Sequence, residues 1–118
     1  MIRYALKKGH NYERFIAKEL SRILDNNFRR VPMSGAIHYH FEGDIMKLGN
    51  RPSIVDNTIL ECKDCRTILM PQWIKQVKEE SQRADVRKWL LFFKHNGESF
   101  VVSPLNQFQE ILKTAQNT

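Results

Sequence analysis

The chain has 118 residues and a mass of 14.0 kDa, and 42% of it is hydrophobic, which suits one globular domain with one core and argues against disorder. Lys and Arg number 19 against 13 Asp and Glu, giving a net charge of +6 and a pI of about 9.6, a balance suited to a polyanionic partner, most often nucleic acid. No apolar run approaches the roughly 20 residues of a membrane span, and the opening MIRYALKKGH lacks the apolar centre of a secretory signal, so the expectation is a cytoplasmic protein of one domain, 1–118, that does not enter a membrane.

The first predicted element is a helix from Asn11 to about Asn26. Tyr12, Phe15, Ile16, Leu20, Ile23 and Leu24 recur there at helical spacing. Glu13 falls on the flank of that stripe, where a carboxylate needs a partner and a metal ion is one candidate. Phe28 to Val31 reads as a short extended piece stopped by Pro32, followed by a loop at Met33-Ser34-Gly35. Gly43 to Leu48 reads as a strand and Thr58 to Lys63 as the next, plausibly joined as a hairpin through a long or bulged connection. In the second strand, alternation puts Ile59, Glu61 and Lys63 on one face and Leu60 and Cys62 on the other.

Pro71 suits the first turn of a helix running through Gln72 to Ala84, with Trp73, Ile74, Val77 and Ala84 as its apolar face. The run Trp89 to Phe93 fits a central strand covered on both faces. Asn96-Gly97 is a favoured two-residue hairpin turn, so Ser99 to Val102 should pair back. Ser103 then reads as the N-cap of a last helix, with Pro104 in its first turn and Leu105, Phe108, Ile111 and Leu112 as its buried stripe. This order predicts an α/β fold, a central mixed β-sheet flanked by helices.

Cys62 and Cys65 form one C-x-x-C, too little for a disulfide framework. A zinc site would need His38 and His40 as further ligands, but the spacing matches no common finger pattern. Two small buried or half-buried thiols are the simpler reading.

One set of residues stands above this background. Gly43-Asp44 opens a strand, Glu61-x-Lys63 lies on the next, and Glu13 waits on the first helix. Carboxylates on adjacent strands can converge on a hard cation such as Mg²⁺, with Mn²⁺ as a substitute. A lysine two residues away reaches the same pocket and can orient water or stabilise charge on a phosphate. A bound divalent ion would neutralise phosphate oxygens and acidify water, as phosphodiester hydrolysis requires. A surface ion pair between Glu61 and Lys63 would explain those two residues equally well, and a non-catalytic DNA-binding module with structural acids remains an alternative.

The segments Lys8-Gly9 with Glu13-Arg14, Arg30-Val31-Pro32-Met33-Ser34-Gly35, Gly43-Asp44-Ile45 and Glu61-Cys62-Lys63 resemble the PD-(D/E)xK nuclease superfamily. More narrowly they are similar to the archaeal-type Holliday junction resolvases and their phage and viral members. The closing Phe100-Val101-Val102-Ser103-Pro104-Leu105 is similar too, so nearly the whole chain is covered. The resemblance implies a restriction-endonuclease-like core in which Glu13, Asp44 and Glu61 bind metal, Glu13 through water in one version. It implies Lys63 as catalytic lysine, Ser34 on a mobile loop at the scissile phosphate, and Gln76 as a residue that could orient water. It further implies a homodimer that cuts opposed strands of branched, four-way DNA, in a prokaryotic cytoplasm or that of a phage host, the alternative being another nuclease of the same superfamily that acts on duplex, nicked or flapped DNA. Many relatives carry Pro where this chain has Gly43, a change expected to matter little.

Lys7, Lys8, Arg14, Arg29 and Arg30 cluster near the N-terminus and are candidates to hold DNA phosphates. Lys75, Lys78, Arg83, Arg87 and Lys88, partly balanced by Glu79, Glu80 and Asp85, read as mostly surface. His10 is a candidate for the rim of the site. Trp73 and Trp89 read as core or interface rather than base-stacking residues. The expected dimer contacts are apolar residues from Trp89 to Phe93, from Phe100 to Val102 and around Phe108.

Overall fold

A computed structural model describes residues 2–32 and 43–117, with the backbone alone for residues 2–7. The elements run α1 (Ile2–Leu24), β1 (Phe28–Arg30), β2 (Ile45–Lys47), β3 (Thr58–Lys63), α2 (Met70–Arg83), β4 (Lys88–His95), β5 (Glu98–Val102) and α3 (Leu105–Gln116). The sheet has five strands in sequence order. Only β3 and β4 are parallel; the other neighbouring pairs are antiparallel. The predicted α/β architecture is the one observed.

Helix α1 starts well before the expected Asn11, so Gly9 lies within it rather than at its start. It ends where Asp25 turns into the left-handed region (φ 48°) and the Asn26 N–H reaches back to the Ser21 carbonyl at 3.2 Å, a Schellman stop. Tyr12, Ile16 and Ala17 are buried on the α1 side of the sheet, against Phe28, Ile45, Leu60, Cys62 and Leu90. Phe15 and Ile23, expected in the buried stripe, are exposed instead. They flank the narrow line of residues that the sheet covers.

The opposite face of the sheet packs on α2. Ile59, Trp89 and Leu91 meet Trp73 and Val77, so both tryptophans are core residues. Strand β3 therefore alternates as predicted, with Leu60 and Cys62 toward α1 and Ile59 toward α2. The β4–β5 turn has positive φ at both Asn96 and Gly97 (51° and 79°), as a two-residue primed turn demands.

Three expectations are corrected. The strand expected from Gly43 to Leu48 is confined to Ile45–Lys47, and Ile45↔Leu60 is its pairing with β3. Gly43 has φ +87°, and a Cβ there would stand 3.0 Å from the Leu60 carbonyl oxygen. Proline, locked near −65°, does not adopt that conformation, so glycine at this position matters. The last helix differs most. Pro104 itself occupies the N-cap, and no side chain caps the helix, since the Ser103 hydroxyl donates to the Pro104 carbonyl instead. Leu105, Phe108 and Leu112 are largely exposed, and the buried residue of α3 is Gln107.

Gln107 has a backbone task. Strand β5 pairs with β4 from Leu91 to His95, which leaves the start of β4 without a neighbour on that side. The Gln107 amide takes the vacant place: its Oε1 accepts from the Trp89 N–H at 3.0 Å and its Nε2 donates to the Trp89 carbonyl at 2.8 Å. Removing it strands two buried backbone groups. Gln107→Ala should therefore lower unfolding stability by about 2–4 kcal/mol, given about 1–3 kcal/mol per unsatisfied buried group. Chemical denaturation measures this, with Gln107→Glu, which keeps the acceptor but loses the donor, falling between.

Candidate active site

Asp44 stands immediately before β2, held by its backbone on two sides. Its carbonyl accepts from the Val31 N–H at 2.7 Å, and its own N–H donates to the Leu60 carbonyl at 2.8 Å. Its carboxylate Oδ2 accepts the Cys62 N–H at 2.8 Å, so the side chain continues the ladder where strand pairing has stopped. Gly43 permits this close approach. The long connection after β2 is folded around Asp56, which pairs with Lys47 at 2.7 Å and accepts the Ser53 N–H at 2.9 Å.

Asp44 is the hub of three carboxyls. Its charge and those of Glu13 from α1 and Glu61 from the middle of β3 act on one another. All three pKa values are raised, in each case first by burial. Glu13 is pushed up to about 7, with the Asp44 charge as the next cause. Glu61 is pushed up to about 10, by burial, then by the charges of Asp44 and Glu80. Carboxyls in contact cannot all ionise unless positive charge joins them.

The surrounding cations compensate in part. Arg30 Nε donates to Glu13 Oε1 at 3.1 Å in a half-buried pair. Lys63 Nζ lies 3.6 Å from Glu61 Oε2 and donates to Gln76 Oε1 at 2.7 Å, while Gln76 Nε2 donates back to Glu61 Oε2 at 3.1 Å. Glu61, Lys63 and Gln76 thus form one triangle between β3 and α2. His10, one helical turn before Glu13, is held below the usual histidine range by burial and by the Arg30 and Arg14 charges.

Glu61 Oε1 is buried and accepts no hydrogen bond. Among the described residues no group of three or more His, Cys, Asp and Glu side chains stands together so as to hold a metal ion. In donor chemistry, carboxylate oxygens with one orphaned buried acceptor are what a hard divalent cation takes. The cysteines do not join them: Cys62 is in the core with its thiol pushed up by burial, and Cys65 is exposed. His38 and His40 lie outside the described residues.

The remaining predicted residues divide. Arg14, Arg29 and Arg30 line one hollow of about 690 Å³ with Lys18, between α1 and the β1–β2 edge. Lys8 lies elsewhere, 3.6 Å from Asp64. Ser34 and the Lys7 side chain fall outside the described residues. One residue escaped the sequence reading. Glu80, grouped there with surface charges, is buried on α2, where its charge helps to raise the Glu61 pKa. Its signal was present, since Trp73, Val77, Glu80 and Ala84 share one helical face.

The model of the family described as "phage putative PDDEXK endonuclease" matches residues 5–118. No curated protein and no solved structure matches the chain. The match covers nearly the whole chain, which therefore belongs to this family of nucleases of the PD-(D/E)xK type.

The raised pKa values set the pH dependence. A carboxyl whose folded pKa exceeds its unfolded value, 4.5 for Glu, stabilises the fold fully below that unfolded value. That contribution is lost as pH rises through the folded pKa, here about 7 for Glu13 and about 10 for Glu61. Thermal unfolding with chelator present should therefore show a melting temperature that falls between mildly acid and alkaline pH. Glu61→Gln should flatten that fall, and Mn²⁺ should offset it increasingly as pH rises, because the ion displaces protons.

Proposed function

We propose that this chain, which belongs to the phage PDDEXK endonuclease family, is a Mg²⁺-dependent, structure-selective DNA endonuclease of the Holliday junction resolvase type. The observation that carries the reading is the meeting of Glu13, Asp44 and Glu61 beside the contact between Lys63 and Gln76. Glu13, Asp44 and Glu61 come from three segments, α1, the residue before β2, and β3.

In this reading Glu13, Asp44 and Glu61 hold the cation, with Mn²⁺ as a substitute. The bound ion supplies neutralisation of phosphate oxygens and acidification of water. Lys63 holds the attacking water and lends positive charge to the phosphate. Gln76 fixes the Lys63 ammonium from one side and Glu61 from the other. Water oxygen bonds to phosphorus, the bond from phosphorus to the 3′ oxygen breaks, and a 5′-phosphate and a 3′-hydroxyl result. Arg14 and Arg29 hold flanking phosphates by charge. Arg30, which pairs with Glu13, would add its charge to a phosphate if a cation took over that carboxylate.

Opposed cuts in a four-way junction need two sites at fixed separation, which a two-fold dimer supplies. Two features support such a dimer. Strand β5 is an edge strand, and Phe100, Val101, Leu105, Phe108 and Leu112 are exposed on it and on α3. Of the interface residues expected on β4, Trp89 to Leu91 are in the core, which leaves β5 and α3 as the contact.

Cleavage assays on a four-way junction, a duplex and a flap, with and without Mg²⁺, test the reading. Asp44→Ala and Glu61→Ala should abolish junction cleavage, by at least about 100-fold as for a lost catalytic electrostatic group, while junction binding persists. Lys63→Ala should lose most activity while Mn²⁺ binding remains, and Lys63→Arg should not restore it fully. Equal cleavage of duplex and junction would favour a plain duplex nuclease.

Sedimentation at micromolar concentration tests the dimer. Leu105→Asp with Phe108→Asp should convert it to a monomer that nicks but does not make paired cuts.

A further inference from the structure

A second feature lies beside the carboxyl cluster. Two hollows, about 650 and 450 Å³, share Lys8, Asp64, Lys94 and Gly97 and so form one groove between α1 and the β4–β5 hairpin. It starts next to the site, because Tyr12 adjoins Glu13 and Asp64 adjoins Lys63. Its floor is aromatic. Tyr12 is held by a hydrogen bond from its hydroxyl to Ser99 Oγ at 3.1 Å, and Phe15 stacks against it with ring centroids 6.3 Å apart and planes 16° from parallel. Phe15 nonetheless leaves 51% of its surface to solvent.

The walls are cationic. Lys94 Nζ stands 5.9 Å from the Tyr12 ring centroid, inside cation–π range. Arg66 and His95 line the outer hollow. Lys94 and Arg66 have no carboxylate partner among the described residues, whereas Lys8 is tied to Asp64 at 3.6 Å. A fixed aromatic ring with an open face, set among cations, matches an unpaired nucleotide: the base stacks and the phosphates meet the charges. The bases of an intact duplex are stacked on each other and cannot reach Phe15.

We propose that this groove binds an unpaired DNA strand leaving a branch, with Phe15 as the stacking surface for one base and Lys94 and Arg66 as phosphate contacts. It goes beyond the nuclease reading, since the arms of a four-way junction are paired throughout and an unpaired strand belongs to a flap or an opened branch, and it rests on that reading only in taking DNA as the polymer. Of the described residues expected from sequence to bind DNA, Lys8 lies in it and Arg14, Arg29 and Arg30 do not.

The test measures binding in chelator, where no cleavage occurs, of the full chain to a single strand of about ten nucleotides containing 2-aminopurine. A duplex and a mononucleotide serve as comparisons. The wild type should bind the strand, quench its fluorescence, and hold it far more tightly than the mononucleotide. Phe15→Ala should weaken strand binding by roughly tenfold and abolish the quenching, with duplex binding unchanged. Lys94→Gln should reduce the slope of log affinity against log salt by about 0.7; because Lys94 is an exposed strand residue, this variant tests the groove even if Phe15→Ala melts early. Unchanged strand binding and quenching in both variants would overturn the proposal. So would an equal loss for duplex and strand, or a mononucleotide bound as tightly as the strand. Strand binding with these signatures in a protein that cleaves nothing with Mg²⁺ would sink the nuclease reading and leave the groove standing.

Discussion

Burying Glu61 at the centre of the sheet is the constraint around which the rest of the structure is arranged. Strand β3 is covered on both faces, and an ionised carboxylate there loses its hydration. The fold answers with neighbours. Asp44 and Glu80 approach from either side, and Gln76 and Lys63 occupy one oxygen while the other accepts no bond. The result is a cluster of carboxyls whose pKa values are all raised.

Delivering Asp44 to that cluster requires irregular backbone. A regular strand would alternate its side chains and send Asp44 to one face. Instead pairing between β2 and β3 is short, Gly43 takes a left-handed conformation, and the Asp44 carboxylate accepts the Cys62 N–H in place of a backbone carbonyl. Strand pairing is given up at the place where ligand geometry is needed, which is a common bargain at sites held on sheets.

Two surfaces flank the cluster, and they differ in chemistry. The hollow lined by Arg14, Arg29 and Arg30 is cationic and suits the phosphates of a duplex arm. The groove on the other side of α1 adds stacked aromatic rings to its cations. The chain belongs to a PD-(D/E)xK nuclease family, and the cluster lies between the two surfaces. Selection among DNA shapes would then depend on how the two surfaces, and the apolar edge formed by β5 and α3, are repeated in a second copy.

Periodicity in the sequence was enough to place most elements, to separate the two faces of β3, and to single out Glu13, Asp44, Glu61 and Lys63, because alternation and helical spacing are local properties. The Asn96-Gly97 turn was legible for the same reason. Tertiary structure alone decided which apolar residues are covered. Phe15 and the Leu105, Phe108 and Leu112 stripe follow helical spacing yet stay exposed, since burial depends on what lies opposite. It also decided the partners of the charged residues. Arg30 turned to Glu13 and Glu80 to Glu61, pairings between distant segments that only packing around the buried Glu61 brings within reach.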